Sequence, residues 1–122
     1  MNFGGIEDAR YSGFDTAEVL IFPVSYEGTV SYGTGTGAGA MAIVEASRNM
    51  ELYEEETDTE TYKIGIHTLP EFGSRPTPEQ MMGDLYEETR KLLEADKFLC
   101  MIGGEHSVSA PVIKAHNEKF AG

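Results

Sequence analysis

The most constraining stretch of the chain is residues 98–107, Phe98-Leu99-Cys100-Met101-Ile102-Gly103-Gly104-Glu105-His106-Ser107. Five apolar residues run unbroken into two glycines, and three polar residues follow. A continuous apolar run bounded by glycine reads as a strand buried on both faces, the pattern of a parallel sheet. The glycines let the backbone leave the strand sharply and approach another group closely. Ligands of open α/β sheets sit beyond the carboxyl ends of the strands. His106 is therefore predicted to emerge where such a fold keeps its chemistry, although a lone histidine there also reads as an ordinary polar residue at a strand end.

The other segments alternate strand and helix signals. Residues 1–17 carry Gly4, Gly5 and Gly13 among polar residues and read as an irregular, non-helical arm. Phe3, Ile6, Tyr11 and Phe14 would anchor it on its own surface or a neighbouring subunit's. Glu18 to Val24 is a β-branched, apolar strand, with Pro23 expected at its end because proline cannot donate to a central ladder. Residues 25–40 form a glycine-rich loop. Residues 40–50 read as a helix whose apolar face is Ile43, Val44, Ala46, Ser47 and Met50. Residues 51–61 hold Glu51, Glu54, Glu55, Glu56, Asp58 and Glu60 with no base, either a solvated segment or a field that steers a cationic ligand. Tyr62 to His67 reads as a short strand, with His67 a surface or loop histidine rather than a ligand. Leu69 to Pro76 is a turn-rich connector.

Thr77-Pro78-Glu79-Gln80 has the form of a capping box with proline at the first helical position. The helix that follows is predicted to run to about Asp96, with Met81, Leu85, Leu92 and Leu93 on its packed face. After the strand at 98–102, Ser107 or Ser109 can cap a last helix, where Val112, Ile113 and Phe120 supply packing and His116 is a helix side chain. The β–α–β–α–β–α order predicts an α/β fold with a parallel sheet and right-handed crossovers.

The totals bound the function. With 122 residues and 40% hydrophobic content, the chain suits a globular domain of modest core. A net charge of −12 argues against nucleic acid and against an anionic membrane surface. It is compatible with a cationic small substrate. No apolar run has membrane-spanning length and no signal peptide is legible. Cys100, the lone cysteine, sits in the apolar run and fits a reducing compartment, so a cytoplasmic location is expected.

Gly103-Gly104-Glu105-His106-Ser107 resembles the Gly-Gly-Asp-His-Ser motif of the ureohydrolases (arginase, agmatinase and relatives), with Glu105 in place of the usual aspartate. Gly28-Thr29, Tyr32, Gly35-Thr36, Gly39 and Ala42-Ile43 resemble the family's N-terminal Gly-Thr pattern, with Ala40 where the family has proline. The resemblance covers the whole chain, matches the N-terminal part of the family's length, and looks most like the agmatinases. It implies the three-layer α/β/α arginase-like fold, with residues 1–122 a single partial domain behind the 1–17 arm. It further implies a centre of two manganese ions with His106 as one metal ligand, and an expected homo-oligomer. The substrate would be a small cationic guanidino compound, agmatine foremost, split to putrescine and urea. Guanidinium is a poor electrophile, and two metals bridging a water can supply hydroxide at neutral pH.

The family's further ligand motifs, Asp-x-His-x-Asp and Asp-x-Asp-x-x-Asp, are not found in the sequence. Of six family ligands only His106 is present, no other catalytic or cofactor-binding residue is assigned, and the chain alone is expected to be inactive. Two alternatives stand beside the enzyme. One is an α/β interaction fragment that pairs through an exposed sheet edge. The other is a nucleotide-binding module at Gly33–Gly39, disfavoured because eight residues separate Val24 from Gly33 and no Gly-Lys-Ser/Thr follows.

Overall fold

The structure is a computed structural model and describes residues 1–29 and 33–121. Tyr32 of the Gly-Thr pattern and Gly122 lie outside the described residues. Three parallel strands, β1 (Val19–Val24), β2 (Ile66–Thr68) and β3 (Phe98–Gly103), form a sheet in the order β2-β1-β3. Four helices are α1 (Ala9–Ser12), α2 (Gly39–Ala46), α3 (Pro78–Leu93) and α4 (Ser109–Phe120). Leu20, Phe22 and Val24 of β1 pack with Leu99 of β3 against Met81, Leu85 and Leu93 of α3 and Val112 and Ala115 of α4. Helix α2 touches β1 and β3, and its buried Ala40 and Val44 lie outside that cluster. The layers are thus α, β and α, as expected, and no described helix is long and apolar enough to cross a membrane.

The strand buried on both faces is β1, not β3. From Leu20 to Val24 every residue of β1 is buried, whereas Phe98 is 71% exposed and Cys100 to Gly103 are half-buried. The reason is position: β1 has a neighbour on each side, and β3 is an edge strand in the described sheet. Pro23 stands inside this central strand, paired with Ile102. Its carbonyl accepts from Phe72 N at 2.8 Å and Leu69 N donates to Ile21 O at 2.9 Å. The missing N–H therefore falls on the β2 side, where β2 has stopped at Thr68.

Several boundaries differ from the sequence reading for local reasons. Residues 61–64 form a 3₁₀ turn, so β2 is only three residues long. Helix α2 gives way to a 3₁₀ turn at Ser47–Asn49, where the buried Ser47 hydroxyl donates to Val44 O at 2.6 Å. Helix α3 ends before Asp96, which takes a left-handed φ of 53°. Thr77 caps α3 by accepting from Gln80 N at 3.2 Å. Thr89 completes its buried stripe with Met81, Leu85 and Leu93, its hydroxyl satisfied by Leu85 O at 2.7 Å. In α4, Ile113 and Phe120 are each 65% exposed because α4 packs through Val112 and Ala115. Position 113 lies about 100° round the helix from 112.

The N-terminal arm is more ordered than expected. It contains a 3₁₀ turn at Phe3–Gly5 and the single turn α1, capped by Asp8. Asn2 lies along the outer edge of β2, donating to Ile66 O at 2.9 Å and accepting from Thr68 N at 2.8 Å. A side-chain amide thereby stands in for a neighbouring strand. Gly4 N donates to Ser47 Oγ at 2.8 Å, so the arm is sewn to the end of α2 and packs on its own surface.

At the carboxyl end of the sheet, β1 and β3 leave together. Val24 pairs with Gly103, and one step further Glu105 N donates to Tyr26 O at 3.1 Å. Tyr26 is 2% exposed and lies between two glycines. A Cβ on Gly104 would overlap the Tyr26 carbonyl oxygen and lie 2.9 Å from Tyr26 N, and one on Gly28 would overlap the Tyr26 hydroxyl. Only glycine permits this approach.

Four substitutions test this packing by chemical denaturation. Leu85→Ala, at a fully buried site, should cost about 3 kcal/mol, while Ile113→Ala should change stability by less than about 0.5 kcal/mol. Gly104→Ala should cost about 3 kcal/mol or more through overpacking. Gly83→Ala, in open space on α3, should instead stabilise by about 0.5–1 kcal/mol.

Candidate functional site

The site is the junction of the segments that leave β1 and β3, residues 25–29 and 103–107. Glu105 is its centre and is 8% exposed. One carboxylate oxygen accepts from Thr29 N at 2.7 Å, and the other accepts from the hydroxyls of Thr29 and Ser107. Burial pushes the Glu105 carboxyl up, but the hydrogen bonds from Ser107 and Thr29 outweigh it and hold the group below the ordinary glutamate value. Glu105 is therefore an anion at neutral pH, satisfied by three donors rather than by a cation.

Ser107 is thus spent on Glu105 and does not cap the last helix. Residues His106–Val108 make a 3₁₀ turn, and α4 has no side-chain cap. Val108 N donates back to Glu105 O at 3.3 Å.

His106 is exposed at this junction, on the first residue of that turn. No described side-chain hydrogen bond engages its ring, in contrast to the other two histidines. His67 has Nδ1 2.8 Å from Ser12 O and meets the edge of Phe14 at 5.5 Å. His116 has Nδ1 2.9 Å from Val112 O, one turn back on α4. Cys100 is a free, half-buried thiol within β3.

His106 can offer one imidazole nitrogen to a metal such as manganese. Glu105 is already engaged by three donors within the chain, which counts against it as a second ligand. Among the described residues no group of three or more His, Cys, Asp or Glu side chains gathers in a metal-binding arrangement. The donor set present therefore fits one position of a metal centre and does not complete one.

Glu27 acts on the same loop from the other side. Its carboxylate accepts from Gly35 N at 2.8 Å and from Gly37 N at 2.8 Å. Those amides are the ones a phosphate would need from Gly33–Gly39, so the loop's own glutamate occupies the place that the nucleotide reading requires. The acidic run 51–61 follows α2 and precedes β2, which puts it at the opposite end of the sheet from His106. There it folds into an exposed turn, with Glu54 bridged to Thr59 and the Tyr53 hydroxyl on Asp58 at 2.6 Å. It is a solvated turn and does not line the junction.

The sequence singled out His106, which the structure places at this junction, but not the Glu105–Thr29 contact, the place of Tyr26 or the use of Glu27. A signal existed for the first. Gly-Thr and Gly-Gly-Glu each follow an apolar strand, and in a parallel sheet adjacent strands deliver such turns to one another.

Comparison with known proteins agrees with this architecture. Residues 17–122 match the sequence model of the Arginase family. The chain is 34% identical over 120 residues to the N(1)-aminopropylagmatine ureohydrolase of Thermus thermophilus, covering 93% of this chain and 38% of that protein. It is 35% identical over 126 residues to the agmatinase of Bacillus cereus, covering 93% and 42%. The solved agmatine ureohydrolase of Thermoplasma volcanium superposes with a TM-score of 0.71 at 21% identity, over 88% of this chain and 37% of that one, a likeness of fold. The chain spans about 40% of the length of these curated relatives. With its Gly-Thr and Gly-Gly-Glu-His-Ser turns brought to one end of a parallel sheet, the chain belongs to the arginase family.

Proposed function

We propose that this chain forms one part of the active site of a manganese-dependent ureohydrolase that releases urea from a guanidino amine, with agmatine as the first candidate substrate. The observation that carries the reading is His106, exposed at the carboxyl end of β3, its ring uncommitted among the described residues. The names of the relatives support a guanidino amine rather than a guanidino acid. The net charge of −12 favours a substrate with two positive charges. A second reading, N(1)-aminopropylagmatine as substrate, is favoured by the Thermus relative.

In this reading His106 supplies one nitrogen donor to the metal. A bound divalent metal supplies the reaction with a nucleophile at neutral pH by lowering the pKa of water. Glu105, Thr29 and Ser107 hold the turn that carries His106 and bring no donor of their own. The same reading takes the protein to be cytoplasmic, in keeping with the free Cys100 thiol. It also takes the protein to be a homo-oligomer.

The test is urea release by the protein from its native source, with agmatine and with N(1)-aminopropylagmatine, in the presence and absence of manganese. Manganese-dependent urea from agmatine is expected. His106→Ala should lower bound manganese and reduce turnover by at least about 100-fold. No urea from either substrate, or unchanged manganese in His106→Ala, would overturn the reading. The 122-residue chain by itself should release no urea, because its described residues assemble only one donor; turnover by that chain would overturn the donor count.

A further inference from the structure

His106 differs from its neighbours in how it is held. Glu105 and Ser107 flank it, and both are tied to one carboxylate, since the Ser107 hydroxyl donates to the side chain of Glu105 itself. That carboxylate is fixed in turn by the Thr29 amide at 2.7 Å and the Thr29 hydroxyl. The backbone before it is locked as well, with Glu105 N on Tyr26 O at 3.1 Å and Gly104 pressed against Tyr26. Val108 N closes the turn on Glu105 O at 3.3 Å. Six constraints thus converge on residues 104–108, and none of them uses the imidazole.

We propose that Glu105 is a positioning residue, which grips Thr29 and Ser107 and so fixes the backbone on both sides of His106 with the imidazole left free for a ligand. A turn with no such ties would fluctuate, and each conformer would point the ring elsewhere. Holding the turn in one conformer removes an ordering cost from ligand binding. The grip also needs the parallel neighbour: Thr29 belongs to the segment after β1 and Glu105 to the segment after β3, so the turn is oriented relative to the whole sheet. The proposal rests on His106 being a ligand-binding residue only for its purpose; the grip itself is a property of this chain.

The experiment uses the 122-residue chain, labelled for NMR, as wild type, Thr29→Val, Thr29→Ser and Ser107→Ala. Backbone order at residues 105–107 and amide exchange at Glu105 and Val108 are measured beside the melting temperature. Thr29→Val keeps the side-chain shape and removes one hydroxyl donor. It should lower the order parameters of residues 105–107 from about 0.85 toward 0.6 and speed exchange at those amides by about tenfold. Thr29→Ser should restore both, and Ser107→Ala should reproduce the loosening from the other side. Order at 105–107 that is unchanged in Thr29→Val and Ser107→Ala, whether or not the melting temperature falls, would overturn the proposal. Loosening in Thr29→Val that Thr29→Ser does not reverse would overturn it too. Bound manganese in the protein from its native source separates the two readings: order that follows Thr29 in the chain, with manganese unchanged in His106→Ala, supports the grip and counts against the metal role alone.

Discussion

The structure depends on β1 having a strand on each side and helices over both faces. Its residues from Leu20 to Val24 are buried, so their register with β3 is set by which side chains reach α3 and which reach α2. A slip by one residue would carry Leu20, Phe22 and Val24 out of the α3–α4 cluster. That register continues past the strands, from Val24 opposite Gly103 to Tyr26 opposite Glu105. The apolar core thus decides, several residues away, which polar groups meet at the sheet's carboxyl end.

Two glutamates show how partners rather than residue type settle a role. Glu27 and Glu105 both accept backbone N–H groups from the loop that follows β1. Glu27 does so at the surface, where water competes, and it serves to close the glycine loop on itself. Glu105 does so in a buried place, where an unsatisfied carboxylate would be costly. Its bonds to Thr29 and Ser107 are therefore a condition of the fold at that point. The histidines sort in the same way. A carbonyl holds His67 and another holds His116, and only His106 stands apart.

What was legible in the sequence follows the range of the interactions involved. The α/β order, the position of β1 and the start of α3 at Thr77-Pro78 are written in local patterns, and each agrees with the structure. Which strand lies in the middle is not local. β3 has as apolar a sequence as β1, yet Phe98 is exposed because no described strand lies beyond it. In α4 the sequence offered Val112, Ile113 and Phe120 alike for packing, and only contact with α3 distinguishes Val112 from Ile113. His106 was legible because its motif is contiguous. Its support was not, because Thr29 and Glu105 are 76 residues apart. The capping reading of Ser107 failed for the same reason: a nearby helix start was a plausible partner, and a buried carboxylate two residues back proved a better one.

The two edges of the sheet are managed differently, and the difference bears on what surrounds the site. Along β2, Asn2 supplies an acceptor to Thr68 N and a donor to Ile66 O, so the edge is closed by the chain's own first residues. Along β3 no described residue performs that service, and the edge ends at the Gly103–His106 turn itself. Any strand added there would run beside Leu99 and Met101 and arrive next to His106. The hydrogen bonds that hold residues 105–107 come from the β1 side through Tyr26 and Thr29, and the β3 edge beside them has no described neighbour.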